Sequence, residues 1–198
     1  MHLKYTLLIG YFFVLPALCA KSKSFDNTTS CDKAKQPKLM SSCCNIPRDD
    51  RISKFCRKSL LSQKNTTTNN GETRNLKADK VALHACIAEC VFKQNGYLLA
   101  NGTINLPVVQ SSLQQRYRSD PVVAQLMIKS LNTCLESAQS RAKQFEWLHT
   151  KDQCDYYPAT LLACTMEQVY INCPASKWKN TEDCVAMQKF LVACNARK

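Results

Sequence analysis

The sequence has few of the residues from which catalytic and metal sites are usually built. Its 198 residues include four glycines and three histidines, of which only His84 and His149 lie beyond position 20. There is no G-x-S-x-G motif and no glycine-rich loop that would cradle a phosphate, which argues against two common kinds of enzyme site. We therefore expect no enzymatic activity, no metal site and no cofactor.

Two local arrangements resemble a site and have a simpler explanation. His84 lies close to Cys86, but a disulfide-bonded cysteine is neither a ligand nor a nucleophile, and the spacing lacks the zinc-finger pattern. The pair Asp49-Asp50 could be a carboxylate dyad. We interpret it as a helix cap, because a segment with helical apolar spacing follows it directly.

Long apolar runs are also scarce, and the only one extends from Tyr5 to Leu18 near the start of the chain. It follows Lys4 and precedes small residues, which is the pattern of a secretory signal peptide. A spanning helix needs about 20 residues, and this run is shorter. We expect residues 1–20 to be cleaved, after Cys19 or after Ala20, and the mature protein to be secreted without stable membrane insertion.

Acidic residues are outnumbered, with 15 Asp and Glu against 27 Lys and Arg, giving a net charge of +12. Such a charge indicates either an anionic partner or a solvated basic surface. The cations are scattered, and no aromatic–basic pattern typical of nucleic-acid binding accompanies them. We expect no nucleic-acid partner.

Cysteine is abundant, with 13 in the chain and 12 after Cys19 is removed. In a secreted protein an even count predicts disulfides, here six. Cys86 and Cys90 lie four residues apart on a predicted helix, where their Cβ atoms are too far apart to bond each other. This helix should therefore be linked to two separate parts of the chain. Secretion is also supported by three glycosylation sequons, at Asn27, Asn65 and Asn101.

Helix signals recur along the chain, and no convincing alternating strand appears. We predict one all-α domain over residues 21–198, with six to seven helices. It has an N-terminal arm at 21–55 and a flexible polar loop at 62–74. The predicted helices cover about 51–61, 76–94, 106–117, 120–145, 158–173 and 180–194. The second should end at the stop signal Asn95-Gly96, and the fourth should begin at Asp120-Pro121, a capping residue followed by a first-turn proline.

The cysteine ladder resembles that of the plus-C insect odorant-binding proteins. From Cys56 to Cys173 the intervening segments contain 29, 3, 43, 19, 9 and 8 residues, and Pro174 follows the last cysteine. The motifs Cys43-Cys44-Asn45-Ile46-Pro47 and Cys86-Ile87-Ala88-Glu89-Cys90-Val91-Phe92 are also similar to those of this subgroup.

The resemblance implies a helical shell around an apolar cavity and three interlocked bridges. Carried over to this sequence, the bridges are Cys56–Cys90, Cys86–Cys164 and Cys154–Cys173. The resemblance assigns no partners to the six other cysteines, which are Cys31, Cys43, Cys44, Cys134, Cys184 and Cys194.

On this basis we expect a secreted carrier of small hydrophobic ligands such as odorants or pheromone-like volatiles. A chemosensory receptor and a second copy of the chain are further candidate partners. The alternative is a secreted cysteine-rich effector or defence protein that acts through its basic surface. Candidate cavity-lining residues are Phe92, Leu126, Met127, Leu131, Leu161, Leu162, Met166, Val169, Tyr170 and Leu191.

Overall fold

The computed structural model describes residues 42–47, 49–64, 76–145 and 154–195, and six α-helices make up most of these described residues. A short 3₁₀ turn, Ala175–Lys177, separates the last two helices. Within the described ranges there is no β-strand, and the predicted all-α class is confirmed. The helices are α1 (Arg51–Lys64), α2 (Leu76–Gln94), α3 (Leu106–Arg116), α4 (Pro121–Lys143), α5 (Tyr157–Ile171) and α6 (Glu182–Asn195).

The helix boundaries coincide with capping residues, prolines and glycines in the sequence. Helix α2 stops before Gly96, which has φ of +68° and supplies the left-handed conformation that ends a helix. Helix α4 starts at Pro121, and the side chain of Asp120 accepts a hydrogen bond from the Val123 N–H at 3.3 Å. The proline and the cap together satisfy the first turn, as the sequence predicted.

Two predicted irregular segments lie only partly within the described residues. Of the arm at 21–55, residues 42–47 and 49–50 are irregular, but α1 begins at Arg51, inside the arm. The carboxylate of Asp49 accepts a hydrogen bond from the Arg51 N–H at 3.1 Å, so the acidic pair lies at a helix start. Helix α1 also extends to Lys64, into the predicted loop at 62–74. The signal segment and the sequons at Asn27 and Asn65 lie outside the described residues.

Helix α5 is the central element of the core, because it packs against α2, α4 and α6. Eleven of its 15 residues are buried, which explains why its sequence is apolar nearly all round. Its strongest packing is against α4. Cys134 bonds Cys164, and the Thr160 hydroxyl donates to the Ala138 carbonyl at 2.8 Å. These two contacts show that α4 and α5 run antiparallel.

Five disulfides join described residues, and one of the three implied by the resemblance is among them. Cys56 on α1 bonds Cys90 on α2, as implied. The implied pair Cys86–Cys164 is wrong, because Cys86 bonds Cys154 just before α5. The implied pair Cys154–Cys173 is wrong for the same reason, and Cys173 instead bonds Cys44.

The physical reason for both corrections is the packing of α4 on α5. Cys164 lies in the middle of α5, on the face against α4, where its neighbour is Cys134. An interlocked order does occur, in which, among six cysteines counted along the chain, the first bonds the third, the second bonds the fifth and the fourth bonds the sixth. It applies to the consecutive set that includes Cys134 and excludes Cys173, which is Cys56, Cys86, Cys90, Cys134, Cys154 and Cys164.

The adjacent cysteines Cys43 and Cys44 have different partners. Cys43 bonds Cys184 on α6, and Cys44 bonds Cys173 at the end of α5. Between these bridges the Asn45 N–H donates to the Lys177 carbonyl, and the Lys179 N–H donates to the Cys43 carbonyl, both at 2.8 Å. The segment before α1 is thus fastened across the α5–α6 connection. Cys194 is also disulfide-bonded.

Acid should weaken a contact between the start of α4 and the 3₁₀ turn, where Asp120 forms an ion pair with Lys177. This ammonium group lowers the pKa of the Asp120 carboxyl below its usual value. A lowered folded-state pKa gives stability that is present above the unfolded pKa of about 3.9 and is lost as pH falls through the folded value. The variant Asp120→Asn keeps a good capping side chain and loses only the ion pair.

We expect Asp120→Asn to have a lower melting temperature than the wild type at pH 7, by about 1–3 °C. The difference should shrink between pH 7 and a strongly acidic pH, because the wild-type carboxyl is itself protonated once the pH falls through its lowered folded-state pKa. Thermal unfolding followed by circular dichroism at both pH values measures it. Gln125→Ala, an exposed position on the same helix, is the control. A difference that persists unchanged in acid contradicts the role of the ion pair.

Candidate functional site

The ten candidate lining residues lie on four helices that meet in one interior. Nine are buried and Leu126 is half-buried, and all belong to, or pack against, a single apolar cluster. The structure therefore brings together residues that are up to 99 positions apart in the sequence. Which of them line a ligand cavity, as opposed to ordinary core, stays a prediction. Phe92 comes from α2, Leu126, Met127 and Leu131 from α4, Leu161, Leu162, Met166, Val169 and Tyr170 from α5, and Leu191 from α6.

An ion pair within the α4–α5 packing was not visible in the sequence. Arg141 Nη1 lies 3.4 Å from Glu167 Oε2, and the side chains are only 18% and 11% exposed. Helical side chains point toward the N-terminus of their own helix, so on antiparallel helices these two reach toward each other. Their separation of 26 residues gives no local signal. Because burying two charges costs about as much as their attraction returns, we assign this pair to positioning α4 against α5.

Several other polar side chains in the interior donate hydrogen bonds to backbone carbonyl groups. The Thr165 hydroxyl donates to the Leu161 carbonyl one turn back, at 2.7 Å. The Tyr157 hydroxyl donates to the Leu135 carbonyl at 3.3 Å, and burial is the main cause that raises the pKa of this tyrosine. Burial likewise raises the pKa of Tyr156, whose ring stacks on Phe145 with centroids 5.6 Å apart. These tyrosines therefore stay neutral at physiological pH and act as packing groups.

The arrangement of His84 and Cys86 differs from a reactive pair. The ring Nδ1 of His84 donates to the Lys80 carbonyl at 2.7 Å, and Cys86 is in a disulfide. Among the residues that the structure describes, no group of three or more His, Cys, Asp or Glu side chains is placed to hold a metal. His149 lies outside that part of the chain. No described helix is long and apolar enough to cross a membrane.

The sequon at Asn101 lies on an exposed turn between α2 and α3. Gly102 has φ of +80°, and an isolated bridge between Leu98 and Ile104 closes the turn. The Asn101 amide oxygen accepts hydrogen bonds from the Thr103 N–H and hydroxyl, at 3.1 and 2.7 Å. This sequon is therefore placed at the surface, and its glycosylation stays a prediction.

A comparison with protein-family models identifies the family to which this chain is related. The AgamOBP47-like family model matches residues 48–190, from just before α1 to near the end of α6. The chain belongs to this family of insect odorant-binding proteins. The match includes the six interlocked cysteines, and the number of disulfides fits the plus-C type. Proteins of this odorant-binding family bind small ligands and are typically not enzymes. No curated protein matches the chain.

Proposed function

We propose that this odorant-binding-family protein is a secreted carrier that takes up small hydrophobic molecules and moves them through aqueous extracellular fluid. The observation that carries the proposal is the family match over residues 48–190. The interlocked disulfides support it, since they hold α1, α2, α4 and α5 in a fixed arrangement around the apolar interior. A chemosensory receptor that receives the ligand and a second copy of the chain are partners consistent with this role.

A carrier needs only to bury the apolar surface of its ligand away from water, and to do so reversibly. Each buried methylene contributes about 0.8 kcal/mol, so a ten-carbon ligand gains roughly 8 kcal/mol before the costs of association. Those costs amount to at least about 4 kcal/mol. The gain alone corresponds to roughly micromolar affinity, and the costs weaken it, so we expect micromolar or weaker binding, which suits a carrier that must also release its ligand.

The composition of the interior favours modest selectivity. Met127 and Met166 are unbranched and polarizable side chains that adapt to ligands of different shape. Most of the other candidates are aliphatic and provide no hydrogen bond. The buried Tyr170 adds a phenolic hydroxyl to the set, and such a group can serve an alcohol or a carbonyl. We therefore expect chain length to govern affinity more than chemical class.

The dependence of binding on salt distinguishes this proposal from an effector that acts through the basic surface. Uptake of an apolar fluorescent probe by the oxidised protein should be unchanged between 50 and 500 mM salt, because burial of apolar surface does not depend on screening. Binding to an anionic surface should weaken steeply over the same range. Probe uptake that weakens as the salt concentration rises would favour binding through the basic surface, for which the net charge of +12 is the basis.

A further inference from the structure

One buried polar atom in the interior has no partner within the described residues. Asn95 follows the last residue of α2 and is 7% exposed. Its amide nitrogen donates to the Val91 carbonyl at 2.7 Å, whereas its amide oxygen, Oδ1, meets no donor in the described part of the chain. An unsatisfied buried acceptor is costly, so a donor of some kind is expected at this position.

The orientation of this amide is fixed by its neighbour. Turning the amide over would place its oxygen against the Val91 carbonyl oxygen, and two acceptors cannot form a hydrogen bond. The Val91 carbonyl also accepts from the Asn95 backbone N–H at 3.1 Å. The amide nitrogen therefore completes the end of α2, and the oxygen is left for another group.

Asn95 lies next to one of the candidate lining residues. Phe92 is one helical turn earlier, and its ring meets that of Tyr97 edge to face, with centroids 5.6 Å apart. Both rings are nearly fully buried in the apolar cluster. The Asn95 oxygen is thus a buried acceptor without a described donor, within three positions of two buried aromatic rings at the C-terminal end of α2.

We propose that Asn95 Oδ1 accepts a hydrogen bond from the hydroxyl group of a bound ligand. This inference rests on the proposed carrier function and adds a ligand class, small apolar alcohols. An alcohol has the donor that this position lacks, whereas an ether, an ester or a hydrocarbon does not. Ligands without a donor leave the oxygen unpaired, which lowers their relative affinity.

The test compares ligands with equal numbers of heavy atoms. Displacement of a fluorescent probe is measured for 1-decanol, nonyl methyl ether and undecane with the wild type, Asn95→Leu and Asn180→Leu. Leucine has the same number and branching of side-chain heavy atoms as asparagine and neither donates nor accepts, and Asn180 is an exposed control position. We expect the wild type and Asn180→Leu to bind the alcohol about 3- to 10-fold more tightly than the ether. In Asn95→Leu this ratio should fall to about one.

The possible results separate the inference from the carrier proposal. Equal binding of alcohol and ether to the wild type overturns the inference and assigns the oxygen to a buried water. An alcohol preference that survives in Asn95→Leu also overturns it, since another group must then be responsible. If folded wild-type protein takes up none of the three ligands, the carrier proposal itself fails. Should Asn95→Leu not fold, Tyr170→Phe is tested in its place: loss of the alcohol preference in that variant would assign the preference to the Tyr170 hydroxyl and overturn the inference, whereas retention of the preference supports Asn95.

Discussion

Replacing Cys86 and Cys154 together by alanine is expected to lower the free energy of unfolding by about 2–5 kcal/mol. The bridge closes a loop across 68 positions and joins α2 to the segment that leads into α5. The same junction is held by the side chain of Glu89, which accepts a hydrogen bond from the Asp155 N–H at 3.2 Å. Without the covalent link, the unfolded chain gains conformational freedom that this one hydrogen bond does not offset.

Denaturant unfolding measures this loss, and a second double variant tests the pairing. In this second variant Cys86 and Cys164 are both replaced by alanine. The two substitutions break two bridges and leave Cys154 and Cys134 without their partners. We expect that variant to be clearly less stable than the Cys86/Cys154 variant and to show thiols, or a rearranged bridge, on peptide mapping. If the Cys86/Cys164 variant is the more stable of the two, the pairing described here is wrong.

The second large effect is expected at the centre of the core. Leu161 lies on α5 with none of its surface exposed. Leu161→Ala removes buried apolar atoms and leaves a space that the fixed helices fill only partly, which typically costs about 2–5 kcal/mol. The disulfides around α5 limit this relaxation, so a value in the upper half of the range is expected.

Leu99→Ala is the matched control for this substitution. Leu99 is 47% exposed, and its backbone N–H donates to the Thr103 carbonyl, a bond that the substitution leaves intact. The same chemical change should therefore alter the free energy of unfolding by about 0.5 kcal/mol or less. Denaturant unfolding of both variants provides the comparison. Similar losses at the two positions would contradict the placement of Leu161 in the core.

The helices could be predicted from the sequence because their signals are local. Helix α2 is free of glycine and proline until Gly96, and its predicted bounds of 76–94 match the structure. Asp120-Pro121 likewise identified the start of α4. Helix spacing also showed that Cys86 and Cys90 have different partners, as observed. Each of these conclusions depends on residues within a few positions of one another.

The features that were missed depend on contacts between distant segments. The pairing of Cys164 with Cys134 follows from how α4 lies on α5, and the order of cysteines alone admits other choices. The Arg141–Glu167 ion pair has the same origin. Asn95 was interpreted only as part of a helix stop, since nothing local shows that its side chain is buried. Burial alone also does not distinguish residues that line a ligand cavity from ordinary core residues. Binding experiments with a ligand are needed to tell them apart.

Whether the interior holds a ligand can be measured by displacement of an apolar fluorescent probe with alcohols of increasing chain length. The protein is used oxidised and without residues 1–20. We predict saturable uptake, with affinity that rises by about 3- to 4-fold per methylene and levels off at one chain length, which marks a finite cavity. Absence of probe uptake by protein that is demonstrably folded would show that the interior holds no such ligand.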